Sequence, residues 1–533
     1  MISPQPQQPQ TKIELSIKCS SLKNKDIVSK SDPRVYVYSK EVTGMVLVGQ
    51  TETIKNNLNP EFKEIISINY YFEKLQALEF IVVDIDKEIK GFGDIDENDT
   101  IGRLSTTLGD IISRPSRIMV NEIKYNGKKT GMIQISANEV NNSFHNIILK
   151  LEGHNLDKKD LFSSDPYFYV LKENPTGYVR VFESEVIKNT LNPCFAPISL
   201  PLSEFNSNDM FKGIRFEFYD YDKTSKHDFI GSFDTTTDEL LQGVKREFQL
   251  INPKKTSKSG YKNSGVIKFY EARVAPTPTF LDYLNGGCEF NLTVAIDCTA
   301  SNGTLHNTVD MAANQYFQSI SAVGSVLAPY DFDGMIDVLG FGGCHNSIDG
   351  GKTSHCFPFS LNPEVKQAVG VRGVLDMYVA NIKKIGFSCP TNFEEVIKYS
   401  NKKATKSGKS NEQRYSILLI LTDGDISDQK ETISAIVEAS KAPLSVIIVG
   451  VGSSGFYQMN VLDGDGGILV DSSGHKAKRD IVQFVPFSKY AADPYQLACE
   501  VLKEIPHQFM VYMKHEKISP LPPRPFLPPP VYN

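Results

Sequence analysis

The chain has 533 residues and a net charge of -6, too long for one hydrophobic core and suited to roughly three or four domains, with no global basic field of the kind nucleic-acid binders carry. Its longest apolar runs, ILLIL at 417–421 and LSVIIVGVG at 444–452, fall well short of the roughly 20 residues a membrane-spanning helix needs. The eight cysteines include no CxxC pair, which predicts free thiols in a reducing compartment.

The first ten residues, MISPQPQQPQ, lack the basic start and apolar centre of a signal peptide and read as a disordered lead-in. From residue 11 the chain repeats itself. SKSDPRVYVY, with Asp32-Pro33, returns as FSSDPYFYV, with Asp165-Pro166. TIKNNLNPEF, with Asn59-Pro60, returns as VIKNTLNPCF, with Asn192-Pro193, and VVDIDK at Asp84 and Asp86 returns as FYDYDK at Asp220 and Asp222. Alternating apolar positions, such as Ile13, Leu15 and Ile17 or Ile214, Phe216 and Phe218, are broken by Asn-Pro, Asp-Pro and Gly turns. They predict two all-β sandwiches in tandem, over 11–140 and 143–275.

Each module carries the same series of aspartates. Asp26 and Asp32 share one loop, Asp84 and Asp86 flank Ile85 in a second, and Asp99 precedes Ile101-Gly102; Asp160 and Asp165, Asp220 and Asp222, then Asp228 before Ile230-Gly231 repeat the plan. A single loop aspartate often caps a turn. A whole series repeated in order predicts carboxylates gathered around a hard cation, and calcium, with roughly six to eight oxygen ligands, tolerates loop geometry. SDP, LNPxF and DxD followed by a later Asp resemble the C2 domain, and DYDKTSKHDFIG is similar to its calcium-binding type. The resemblance implies a calcium site in each module. The interval from Asp86 to Asp99 is longer than the C2 pattern, which leaves Asp94 or Asp96 as an alternative last ligand. Asp160 to Asp165 is one residue shorter than Asp26 to Asp32, which leaves Asp157 as another.

Ile89 and Phe92 beside Lys87 and Lys90, and Leu161 and Phe162 beside Lys158 and Lys159, put apolar and basic groups next to these acidic sites. Bound calcium reverses the local sign and lets the lysines meet an anionic phospholipid surface. Lys254, Lys255, Lys258 and Lys262 form a second basic cluster, each charge worth ~1 kcal/mol near such a surface; its alternative is a solvated hairpin loop.

A Pro/Gly-containing linker, or an arm packed on the third domain, is expected over 276–288. From 289 to 505 short apolar strands (Leu292–Ile296, Met335–Leu339, Ile417–Leu421, Leu444–Val449) alternate with helical stretches. In one of these, Phe317, Ile320, Gly324 and Leu327 recur at spacings of three and four. Strand and helix in alternation predict a parallel, doubly wound sheet. A Pro-rich tail is expected over 506–533; its end, SPLPPRPFLPPPVYN, reads as a polyproline segment, with a solvated tail as the bland alternative.

In VAIDCTASNG, an apolar strand runs into Asp297, Thr299 and Ser301. One reading is a helix start with Ser301 or Asn302 as N-cap. The other is half of a cation site completed by Thr391 of PTNFEE and Asp423 of LTDGD, the latter directly after another apolar strand. Ligands bind at the carboxyl ends of strands in open α/β sheets, and few carboxylates plus hydroxyls suit magnesium or manganese. The set resembles the metal-ion-dependent adhesion site of the von Willebrand factor type A domain, DxSxS with a later Thr and Asp; Thr299 takes the middle Ser position. Two C2 domains followed by an A domain resemble the copine family, and IDCTASNG, PTNF, PLSVIIVGVG, LDGDG and QFVPF are similar to copine sequence over 11–505. The resemblance implies a cytoplasmic, calcium-dependent phospholipid-binding protein that moves to the plasma membrane or internal membranes on a calcium rise and recruits protein partners through its A domain.

An enzyme is not expected. GGKTS at 350–354 has Asn346 where a phosphate loop needs glycine, Cys344-His345 and His355-Cys356 lack zinc-finger spacing, and there is no GxSxG or HExxH. The alternative reading is a C2-targeted, metal-dependent hydrolase using the A-domain ion. An adhesion protein facing outside the cell fits poorly with the free-cysteine pattern.

Overall fold

The computed structural model describes residues 11–85, 95, 99–140, 145–158, 163–175, 177–222, 227–407, 413–464 and 467–527. They divide into two compact units, one spanning 141–277 and the other joining 1–140 to 278–533. The lead-in expected over 1–10 lies outside the described residues.

Both β modules follow from their alternation, because successive side chains of a strand point to opposite faces. In Thr11–Ser20, Ile13, Leu15, Ile17 and Cys19 are buried; in Gly213–Asp220, Ile214, Phe216 and Phe218 are. In the first module the strands run in the spatial order 44–50, 33–41, 77–84, 100–107, 118–125, 128–139, 11–20, 66–70. A single pairing, Arg103 with Lys124, joins its two halves. The second module repeats that order as two four-stranded sheets: 177–183, 166–174, 213–220, 228–236, and 247–249, 266–276, 145–154, 198–201.

The third domain has a parallel sheet of β1 (Glu289–Asp297), β2 (Met335–Phe341), β3 (Arg414–Thr422), β4 (Leu444–Gly450) and β5 (Val482–Pro486), in the order β2-β1-β3-β4-β5. Short antiparallel strands at Phe357–Pro358 and Gln367–Val369 flank β2. The longer helices are α1 (Gln315–Leu327), α2 (Gly370–Asn381), α3 (Glu394–Ser407), α4 (Gln429–Ala439), α5 (Pro494–Leu502) and α6 (Ile505–His515). Val294, Ile296, Leu419 and Leu421 share one core with Ile320 and Val323 of α1, Val374 of α2, Leu497 of α5 and Phe509 of α6. Ala295, Leu418 and Ile420 share the other with Val396 and Ile397 of α3 and Ala435 and Ile436 of α4. Burial on both faces is why these strands read as continuous apolar runs. In this order the chain reverses direction across the sheet between β1 and β3, the point where such folds bind ligands.

The core of the third domain continues into the first β module. Tyr70 and Tyr330 share a buried hydrogen bond of 2.7 Å, and the Phe72 ring lies 4.9 Å from Tyr330, 5.1 Å from Phe280 and 5.5 Å from Phe290. Two sequence expectations are corrected here. Of the two readings of 276–288 the plain linker gives way to the packed arm: it contains a helix, Phe280–Asn285, with a Thr279/Asp282 capping box and with Leu281, Tyr283 and Leu284 buried in the same core as Phe290. The tail over 506–533 begins as α6, which buries Phe509 and Met513. Pro506 looks like a breaker but stands in the first turn, where a helix tolerates the missing N–H. Beyond α6, Ile518 O accepts from Tyr283 OH at 2.7 Å and Ser519 O from Gln413 Nε2 at 2.6 Å, so this segment is bound along the domain. Among the described residues no helix is long and apolar enough to cross a membrane.

Candidate metal centres

In the first β module, strands 33–41 and 77–84 pair with Pro33 opposite Asp84, which brings the loop aspartates to one end of the sandwich. The Asp32 backbone N–H donates to Asp84 Oδ1 at 2.6 Å, Asp32 Oδ1 accepts from the Asn56 amide at 2.7 Å, and the Asp84 amide donates to Asp99 O at 2.9 Å. The second module repeats the geometry. Pro166 stands opposite Asp220, the Asp165 N–H donates to Asp220 Oδ1 at 2.5 Å, Asp165 Oδ1 accepts from the Asn189 amide at 2.8 Å, and Asp228 pairs with Asp220. Asp84 and Asp220 are buried, while Asp222 is half-buried and Asp228 exposed. Among the described residues Asp32 and Asp165 pair with no Lys or Arg.

Asp26 accepts from Ser29 Oγ at 2.6 Å within a loop whose turn Asn24 ties through Ser31 N and Ser29 O. Asp86, Ile89, Phe92, Asp94, Asp96, Asp160, Leu161 and Phe162 lie outside the described residues. Asp157 is held by Lys255 Nζ at 2.6 Å, so that lysine meets a carboxylate of its own module, while Lys254 is exposed. The tip of the first module's loop carries Ile27 and Val28, 100% and 99% exposed. They have no periodicity to mark them, but the repeat does: KDIVS aligns with KDLFS, so Ile27 and Val28 stand where Leu161 and Phe162 do.

At the carboxyl ends of β1 and β3 the five oxygen-bearing residues meet. Asp297 Oδ1 accepts from Thr299 N at 2.8 Å and from Thr299 Oγ1 at 2.7 Å. Ser301 Oγ donates to Asp423 Oδ1 at 3.0 Å and lies 3.3 Å from Thr299 Oγ1, and Thr391 Oγ1 donates to Thr299 Oγ1 at 3.3 Å. The Thr391 loop is pinned because Asp428 accepts from the Phe393 and Glu394 amides and Ser427 N donates to Thr391 O. Gly342, at φ +69°, is required here, since a Cβ would run into the Thr299 methyl. A short helical turn begins at Ala300, yet neither Ser301 nor Asn302 is its N-cap, and Thr299, which is, spends its hydroxyl on Asp297. The cap reading therefore fails.

Asp297 is fully buried and Asp423 nearly so, whereas Ser301 is exposed and Thr391 half-buried, leaving one side open. Burial pushes the Asp297 carboxyl up to about 6, and burial also raises Asp423. Among the described residues neither pairs with a Lys or Arg. Buried carboxylates without a cationic partner, ringed by hydroxyls, suit a small hard cation.

Of four further residues in this web, Asn302 carries only the cap reading in the sequence and the other three carry no signal of their own. Thr422 Oγ1 donates to Asp297 Oδ2 at 2.7 Å, Asn302 Nδ2 to Asp423 Oδ1 at 2.9 Å, and His306 Nε2 to Asp297 O at 2.8 Å, while Tyr316 OH donates to Asn302 Oδ1. Burial drives His306 down to about 4, so it stands neutral near pH 7. A separate acidic group, Glu289, Asp331 and Asp333, gathers within 4.8 Å at the opposite end of β1, where Arg414 bonds Glu289 at 3.0 Å.

Comparison with known proteins matches this layout. The C2 domain family matches residues 13–122 and 147–250, and the copine family matches 304–521. Copine-C of Dictyostelium discoideum is 53% identical over 529 residues, covering 98% of this chain and 97% of its own; Copine-B of the same organism is 53% identical over 522 residues, covering 96% and 97%. The calcium-bound pair of C2 domains of extended synaptotagmin 2 aligns at 18% identity over 51% of this chain and 99% of that one, at a TM-score of 0.20 that supports no argument. With half its residues shared across nearly the whole of two copines, and with tandem C2 domains followed by a copine domain, the chain belongs to the copine family.

Proposed function

We propose that the protein is a calcium-dependent phospholipid-binding protein, cytoplasmic at rest, that moves to membranes through its tandem C2 domains and recruits partner proteins through a metal-dependent A domain. The observation that carries the first half is the duplicated register in which Asp32, Asp84 and Asp99, and again Asp165, Asp220 and Asp228, meet at the same strand ends. An all-oxygen, carboxylate-rich set on loops suits calcium; Asp26, Asp86, Asp160 and Asp222 complete the proposed ligands. Calcium neutralises carboxylates that otherwise repel anionic headgroups. Ile27 and Val28, with Leu161 and Phe162 in the second module and Ile89 and Phe92 in the first, then supply apolar contact, and Lys254 a charge.

The test is co-sedimentation with phosphatidylserine vesicles. Binding is expected in calcium and not in chelator, weakened by Asp84→Asn or Asp220→Asn and more by both together. Equal sedimentation with and without calcium overturns the reading. At the A domain, Asp297, Thr299, Ser301, Thr391 and Asp423 would hold magnesium or manganese, leaving a position for a carboxylate supplied by a partner. Asp297→Ala is expected to remove the A-domain manganese site from the full chain while vesicle binding persists. We read the chain as a binding protein and not an enzyme.

A further inference from the structure

Behind the five A-domain oxygens stands a side chain outside that set. Asn302 is fully buried, and its Nδ2 donates to Thr299 Oγ1 and Asp423 Oδ1, both at 2.9 Å. A carboxylate accepts and does not donate, so the amide nitrogen has to face Asp423. The amide oxygen then faces Tyr316, whose hydroxyl donates to it. Tyr316 is itself fully buried in the first turn of α1 and stacks on His306 at 4.2 Å.

A second thread runs parallel. His306 donates to Asp297 O and meets Tyr378 OH of α2 at 2.9 Å. The same hydroxyl accepts from Asn314 Nδ2 at 3.0 Å, and Asn314 is the residue whose side chain caps α1. The oxygens at the strand ends and the start of α1 are thus fixed by one hydrogen-bonded web.

We infer that Asn302 is the positioning residue of the A-domain cation site: its amide holds Thr299 Oγ1 and Asp423 Oδ1 at a set separation, and Tyr316 locks the amide and ties the site to α1. The inference rests on the reading of this site as metal-binding. Outer-shell partners that orient metal ligands typically change metal affinity about 10- to 100-fold when removed.

The experiment is manganese titration of the full chain followed by electron paramagnetic resonance, with the Asp297→Ala chain as the blank for manganese taken up elsewhere, and hydrogen exchange of α1 with and without the ion. Asn302→Ala is expected to weaken the Asp297-dependent site about 10- to 100-fold. Tyr316→Phe keeps the ring and its stacking but deletes the hydroxyl, and is expected to weaken it about tenfold. Both variants are expected to blunt the added protection of α1 that manganese gives the wild type. Unchanged affinity in Tyr316→Phe and Asn302→Ala, with only a lower melting temperature, means a purely structural role and overturns the inference. Wild type and Asp297→Ala binding manganese equally overturns the metal reading itself, and the inference with it.

Discussion

The two C2 domains share a strand order and a set of carboxylates but close their cores differently. The second is self-sufficient: Phe168, Phe216, Phe218, Phe233, Phe248 and Phe269 pack together inside 141–277, with Phe216 and Phe233 stacked at 5.0 Å. The first is open at one side, and its Tyr70 and Phe72 lie against Phe280, Phe290 and Tyr330 of the A domain. The cause is local. Strand 66–70 ends on Tyr70 and the first domain runs on as Tyr71-Phe72, whereas after strand 198–201 the second turns a short helix that folds Leu202 and Phe205 back into its own core. Attachment is written at that connection, while the carboxylates sit on the loops flanking 33 and 84, or 166 and 220. One fold can therefore keep its ion site and change its neighbour.

The strongest way to break this comparison is to cut the chain. Residues 141–277 are expected to fold alone with a cooperative thermal transition. A fragment beginning at 278 leaves Phe280, Phe290 and Tyr330 without their cover and is expected to bind a hydrophobic dye and aggregate. A monomeric, cooperatively melting 278–533 fragment means that the shared core is dispensable. A gentler version uses single truncations in the full chain. Phe72→Ala and Phe216→Ala each remove a large buried ring, at a cost of about 3–5 kcal/mol. In calorimetry Phe72→Ala is expected to lower the transition of the unit joining the first C2 and A domains, and Phe216→Ala only that of the second C2 domain. Both variants shifting the same transition would erase the distinction.

What could be read from the sequence follows the same division. The convergence of the A-domain oxygens was legible because DxTxS ends one apolar run and Asp423 ends another, which puts both at strand ends of one sheet, with Thr391 in a loop before a helical stretch. The repeated aspartates were legible because the duplication multiplies a weak signal. Thr422 and His306 were not, since a lone Thr or His near a strand end has no spacing to mark it, and Asn302 is marked there only as a helix cap. The attachment of the first C2 domain was equally silent, because Tyr70 and Phe72 look like any core aromatics until the partner surface is known. Residues 506–524 depart from the Pro-rich tail expectation for a composition reason: proline content says where regular hydrogen bonding stops, but not whether a segment is bound.

The loop tips sharpen the comparison from the membrane side. Ile27 and Val28 are fully exposed yet apolar, and full burial of such a side chain gains about 1.5–3 kcal/mol. Replacing both by Ser is expected to weaken calcium-dependent vesicle binding by at least about tenfold without moving either thermal transition. If the first C2 domain serves only as scaffold for the A domain, the double variant will sediment with vesicles as the wild type does, and membrane contact will belong to the second domain alone.

The smallest effect concerns the strap that crosses from the A domain to the first C2 domain. Arg524 donates its backbone N–H to Asn285 O at 3.0 Å and receives Ser116 Oγ on its own carbonyl at 2.7 Å. Its guanidinium donates to Ser113 O at 2.6 Å and lies 4.2 Å over the Phe332 ring. Arg524→Ala keeps both backbone bonds and removes the guanidinium. A hydrogen bond to a charged group contributes about 1.5–3 kcal/mol and an exposed cation–π contact about 0.5–1. Against this stands the desolvation of a half-buried guanidinium, which also lowers its pKa. The net loss is therefore about 1–2 kcal/mol, which in a unit of several hundred residues lowers the melting temperature by only about 1–2 °C. Arg524→Lys keeps the charge but not the planar group that spans carbonyl and ring, so it is expected to recover only part of that shift. The second C2 domain provides the internal control, because its transition should not move. Full recovery by Lys would assign the strap to charge alone, and an unmoved first transition in Arg524→Ala would show that Tyr70, Phe72 and their aromatic partners hold the two domains together without it.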